Sequence, residues 1–265
     1  IDNIDDPIRF SGVVQVVMGL AALATIYVYH YTFDWMAYAL GTLQRSSGAY
    51  PLFNLFSHAI AFAVMLPATF LAGMTLPLFT HVLLRGGHGE RAIGQVYSAN
   101  TLGALAGVLL AVHVLVPGTG MKLAVVIGAS VDILLGAWLL RHSGVARPRF
   151  YAYAALILGL LAATTTARAA VLDPNRLSSG VFRYGTAQRA DSKVFFYRDG
   201  KTASIAVRRQ ADSVIGIITN GKPDATIQMD PDRAPAGAEY TMAAPAALPL
   251  LMKPHARPHP NIGLS

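Results

Sequence analysis

The sequence predicts an α-helical multi-span membrane bundle of about five transmembrane helices, followed by a small antiparallel β-sheet domain and the first strand of a further domain. Three observations lead there. Of the 265 residues, 54% are hydrophobic and only 13% charged, about half the roughly 25% charge of a soluble domain. The deficit is uneven: 15 of the Lys, Arg, Asp and Glu fall in residues 1–171 and 20 in the shorter stretch 172–265. Beyond residue 172 the long apolar runs give way to short β-rich runs punctuated by Asp199-Gly200 and Asn220-Gly221, dipeptides that suit hairpin turns.

About 20 apolar residues cross a bilayer core, and five stretches come near that length: about 10–31, 53–84, 93–116, 121–140 and 150–167. The opening "IDNIDDPIRF" is acidic and reads as a loop rather than a signal peptide. The second span is long enough to tilt or break, with Pro67 and Pro77 as the expected breaks. The third carries Gly103 and Gly107 with Asn100. A small-xxx-small pair lets helix backbones approach closely, and Asn seeks a neighbouring helix, so these three are expected helix-packing residues. Asp132, in the fourth span, is a carboxylate at membrane depth. It is read as cementing the bundle, through Asn100 or His113, with an ion path as the functional alternative. His58, His81 and His113 lack metal-ligand spacing, and no metal is expected.

The loops "RGGHGERA" (85–92) and "RHSGVARPR" (141–149) hold five Arg, whereas 33–52 holds one and 117–120 none. The positive-inside rule makes the first two cytoplasmic. Five spans then place the tail on the non-cytoplasmic side of what is expected to be a bacterial inner membrane. The net charge of +7 is distributed beside apolar spans rather than in patches, so nucleic acid is not an expected partner. The expected partners are the lipid bilayer and other membrane subunits. The absence of cysteine excludes disulfides and thiolate chemistry.

In the tail, residues 172–228 form the expected sheet domain. "VFFYRDG" (194–200), "KTASIAVRR" (201–209) and "SVIGIITNG" (213–221) are its strands. Ala203, Ile205 and Val207 alternate with Thr202, Ser204 and Ala206, giving one apolar face. Residues 229–265 read as a Pro/Gly-rich loop, a helix over 241–254 interrupted near Pro245, and a parallel strand beginning at "PNIGLS". Both ends of the chain are expected to be cut from a longer protein.

The blocks "AGMTLPLFTHVL…GERAIGQVYSANTLGALAGVLLAVHVLVPGTG", "VFFYRDGKTASIAV", "TNGKPDATI" and "ALPLLMKPHARPHPNIG", in that order, resemble membrane-fused spermidine/spermine synthase-like proteins. The resemblance implies that the sheet caps a Rossmann-like methyltransferase-type domain, here truncated at its first strand. It implies decarboxylated S-adenosylmethionine as the aminopropyl donor, with Gly263 as the first glycine of the cofactor turn. No catalytic residue of that family falls within this chain. Two departures stand out: Asp224 lies near the usual Gln position, and Met242 near the His of the usual Tyr-His-Glu. Asp224, Glu239 and Tyr240 are the remaining candidates for substrate contact. S-adenosylmethionine is cytoplasmic, which conflicts with an outward tail. The expected function is therefore that of a membrane-anchored synthase-like protein, inactive as it stands. The alternatives are an accessory or scaffolding subunit of a membrane complex and, more remotely, a transporter.

Overall fold

The structure is a computed structural model that describes residues 4–43, 46–185, 192–210 and 212–252. It divides into two compact units, Ile1–Leu172 and Asp173–Ser265.

The first unit is helical. α1 (Pro7–Thr42) begins with Asp6 as its N-cap, whose Oδ1 accepts from the Arg9 N–H at 2.9 Å, and Pro7 opens the first turn. The acidic opening read as loop thus ends in a helix start, where a short acceptor and a missing N–H both fit. Asp6 Oδ2 also accepts from the Gly144 N–H at 2.8 Å, joining α1 to the loop that follows α4. α2 (Tyr50–Arg85) contains both Pro67 and Pro77 without interruption. The expected breaks are not made. Proline in a membrane helix removes one bond per site, and the remaining bonds of the 36-residue helix keep the run continuous.

α3 (Arg91–Leu110) runs through a π-turn at Ala111–Leu115 into α4 (Val116–Arg141). Gly120 breaks this run with φ 78° and ψ 166°, a conformation open to glycine. α5 (Pro148–Ala169) follows. Four helical stretches are long and apolar enough to cross a membrane: Pro7–Thr42, Tyr50–Arg85, the 51-residue Arg91–Arg141 and Pro148–Ala169.

The bundle core lies where α1, α4 and α5 meet. Leu23, Ile26, Val126, Ala129, Ile133 and Ala170 form one buried cluster, and Val16, Ala137, Leu140 and Ala155 another. Pairing runs antiparallel between α1 and α4, since Gly12 lies beside Leu140 and Gly19 beside Ala129. Lys122 sits at the far end and donates to the carbonyls of Ala167 (2.8 Å) and Ala170 (3.1 Å). A cation there satisfies carbonyls that the end of α5 leaves open.

The second unit holds a four-stranded antiparallel sheet in the order β1-β2-β3-β4, formed by β1 (Ser192–Asp199), β2 (Ser204–Gln210), β3 (Val214–Thr219) and β4 (Lys222–Gln228). Two one-turn helices, α6 (Pro174–Leu177) and α7 (Val181–Tyr184), precede it, and α8 (Gly237–Met252) follows. The Asn220-Gly221 turn is made as expected: Thr219 pairs with Lys222, and φ is 50° at Asn220 and 82° at Gly221. Positive φ at both central residues is the primed turn that matches strand twist. Asp199-Gly200 does otherwise. Asp199 pairs with Ser204 across a four-residue loop in which Gly200 N–H donates to Ala203 O at 2.9 Å. β2 therefore starts at Ser204 rather than Lys201. α8 is also continuous through Pro245 rather than interrupted there. The expected parallel strand lies outside the described residues.

The buried face of the sheet differs from the expected one. Ala206, Arg208, Val214 and Ile218 are buried, whereas Ile205 and Val207 are only half-buried. Register explains the arrangement: Ala206 pairs with Ile218 and Arg208 with Gly216, so a long side chain faces a residue with none. The Arg208 guanidinium Nη2 donates to Ser178 O and, at 2.8 Å, to Ser178 Oγ. The turn between α6 and α7 thus covers this face, and a buried cation rather than an aliphatic anchors it.

Candidate functional site

Three groups of residues were singled out by sequence, and the structure treats each differently. The helix-packing group comes first. A Cβ built on Gly103 or Gly107 meets nothing within 4 Å, and Asn100 is exposed. Among the described residues these close-pack against no helix. All of α3 except Ala92 and Val96 is exposed. The close approaches are made instead by glycines that sequence reasoning did not weigh. A Cβ on Gly136 would lie 2.7 Å from Gly12 O and 2.8 Å from Val16 N; one on Gly19 would lie 2.6 Å from Ala129 O. A Cβ on Gly159 would collide with Ile133 Cγ2. The available signal was the shared seven-residue spacing of Gly12/Gly19 and Ala129/Gly136, which keeps both pairs on one stripe of each helix.

Asp132 sits in this interface. Its Cβ is 3.3 Å from where a Cβ on Gly19 would stand, so it faces α1 rather than α3. Asn100 and His113 are not brought to it; His113 Nδ1 lies 3.2 Å from Leu109 O on its own helix. On the same stripe of α1 as Gly12 and Gly19, Gln15 is 4% exposed, and its Oε1 has no partner among the described residues.

The substrate-contact candidates lie at the β4–α8 end of the second unit. Asp224 is the extra residue of a β-bulge: Ile217 pairs with Ala225 and Ile218 with Pro223, leaving Asp224 unpaired between them. Its carboxylate is 3.9 Å from Lys222 Nζ. Glu239 accepts from the Gln228 N–H at 2.5 Å and the Ala236 N–H at 2.9 Å. The second bond is one half of a capping box at the start of α8, and the first ties the helix to the end of β4. Glu239 is thereby engaged as a structural cap. Tyr240 is exposed. Gly263 lies outside the described residues.

A small cavity that sequence reasoning did not find, lined by both polar and apolar groups, lies beneath the buried sheet face. Its volume is about 20 Å³, and Ser178, Ser179, Tyr184, Arg208, Gly216 and Thr226 are among its lining. Ser179 is 1% exposed, and its Oγ has no partner among the described residues. A cavity of this size holds about one water. Among the described residues no group of three or more His, Cys, Asp or Glu is placed to hold a metal.

No protein-family model matches this chain, and neither a curated protein nor a solved structure is similar to it. The structure defines a mostly helical protein with four membrane-length helices and a small antiparallel sheet.

Proposed function

We propose that this chain is an integral membrane protein acting as a scaffolding or accessory subunit of a larger membrane assembly. The observation that carries this reading is α3. It is apolar and of membrane length, it carries Gly94, Gly103, Gly107 and Asn100, and nearly all of its surface is open. An amide at membrane depth and small residues in register are the features with which one helix receives another. Gly120 supports counting the 51-residue run as two crossings, because at 1.5 Å per residue it is about 75 Å long against a core of about 30 Å. Five crossings follow. The tail then lies opposite the Arg-rich loops, on the non-cytoplasmic side of a bacterial inner membrane.

The test is purification from the native membrane in mild detergent, followed by native mass spectrometry. The reading expects a complex heavier than the 28.1 kDa of this chain. It also expects a cross-link to the partner from a cysteine placed at Gly103. A monomer without cross-links removes it.

A second reading is favoured by the order of sequence blocks, which resembles the membrane-fused spermidine/spermine synthase-like proteins. In this reading Asp224 and Tyr240 sit beside the polyamine, and decarboxylated S-adenosylmethionine binds at the turn that Gly263 begins. Membranes containing the full protein would then transfer an aminopropyl group from that donor to putrescine or spermidine. An assay showing no transfer disposes of it.

A further inference from the structure

The sheet has a second face, and register lays it out in three rows that cross all four strands. Directly opposed residues share a face. The central row is Phe196, Val207, Ile217 and Ala225. On one side runs Arg198, Ile205, Thr219 and Lys222; on the other, Lys193, Arg209, Ile215 and Ile227. The centre is apolar, with Val207 and Ala225 half-buried and Phe196 46% and Ile217 45% exposed, and Ile227 in the neighbouring row is 50% exposed. Lys193, Arg198, Arg209 and Lys222 stand around it, all exposed, and the three rows include no acidic side chain. Two of these cations have local neighbours: Arg209 lies 5.8 Å from the ring centre of Phe195, and Lys222 lies 3.9 Å from Asp224.

Water is a poor solvent for such a face, and contiguous exposed apolar surface of this kind marks an interaction site. Its charge selects the occupant. In a two-fold dimer through this face, the cations of one copy would meet those of the other, because an isologous contact sets like against like. An anionic lipid surface matches both features. Phosphates meet the Lys and Arg rim while Phe196, Ile217 and Ile227 enter the boundary between headgroups and acyl chains.

We infer that this face of the sheet docks on the anionic surface of the bilayer. The inference rests on the reading that the first unit is embedded in that bilayer.

The chain has no cysteine, so Ile217→Cys in the full protein carries a single fluorescent label. Ile227→Cys supplies a second position should the first perturb the sheet. The protein is reconstituted into phosphatidylcholine vesicles with and without phosphatidylglycerol. Its label is then quenched by aqueous iodide or by brominated lipid. The expected result is protection from iodide and quenching by brominated lipid in the anionic vesicles only. Neutralising Lys193, Arg198 and Arg209 to Gln should weaken docking by about fivefold per cation removed, and added salt should weaken it likewise. A label equally open to iodide in both vesicles overturns the inference while leaving the membrane reading intact. Protection that persists in neutral vesicles and in detergent also overturns it, and shows protein covering the face. Failure of the chain to float with vesicles defeats the membrane reading and the inference together.

Discussion

α3 and the α1–α4–α5 trio carry the same kind of sequence, apolar helices with recurring glycine, yet only the trio packs. In the trio three glycines face backbone of a neighbouring helix: Gly12 and Gly136 lie against one another's carbonyl oxygens, with Val16 N also beside Gly136, and Gly19 lies against Ala129 O. In α3, Gly94, Gly103 and Gly107 face nothing within 4 Å among the described residues. A small residue permits close approach but does not provide the partner. The partner comes from a second helix with its own gap at the matching height, as Gly12/Gly19 and Ala129/Gly136 supply for one another.

The largest way to break this comparison is Gly136→Ala. One methyl would have to enter space held by two backbone atoms that cannot turn aside. Overpacking of that sort costs about 2–3 kcal/mol. Unfolding of the purified protein in mixed micelles, followed by circular dichroism, should show the loss. Retention of wild-type stability would mean that the helices sit farther apart than described.

Next in size is Arg208→Met in the second unit. The substitution keeps a long apolar stem but strands Ser178 O and Oγ. Leaving buried acceptors unmet costs about 2–3 kcal/mol when the lost donor was charged. Urea titration should show the sheet unit unfolding earlier while the helical signal holds.

These two sites also show what a sequence exposes and what it hides. Membrane-length helices were legible because hydropathy is a local sum, and the Asn220-Gly221 turn because positive φ at both residues is a local demand. The buried sheet face was not. Alternation favoured Ile205 and Val207, since they are the more apolar set, but burial depends on what covers the strand. Here the α6–α7 turn covers the Ala206 face and takes Arg208 with it, using the room left by Gly216. Among the candidate site residues, Glu239 looked like a free carboxylate. Its offset of three from Ala236 was a capping signal, hidden because Ala236 itself has no capping side chain. Pro67 and Pro77 misled in the opposite direction, because a broken bond does not end a helix held by many others.

A smaller effect should come from Lys122→Met. It removes the two hydrogen bonds that close the end of α5, at Ala167 O and Ala170 O. The site is half-buried, so water takes over part of the loss, and a cost of about 1–2 kcal/mol is expected. Hydrogen exchange should report it as faster opening of the last turn of α5, with Lys122→Arg restoring protection. Unchanged exchange would mean that the carbonyls are satisfied in another way.

The smallest effect sharpens the comparison most. Gly103→Ala makes the same change as Gly136→Ala, one methyl on one helical glycine. At Gly103 the new Cβ meets nothing within 4 Å among the described residues, and alanine is the better helix former by about 0.5–1 kcal/mol. The isolated protein should therefore unfold no earlier, and slightly later, than wild type in the same micelle assay. Within a larger assembly the sign should reverse, because a helix seated on α3 would meet the methyl just as Gly12 meets one at Gly136. The two measurements together separate an empty helix face from an occupied one. A loss of stability in the isolated chain would place a neighbour on α3 within the chain itself and dissolve the contrast between the two regions.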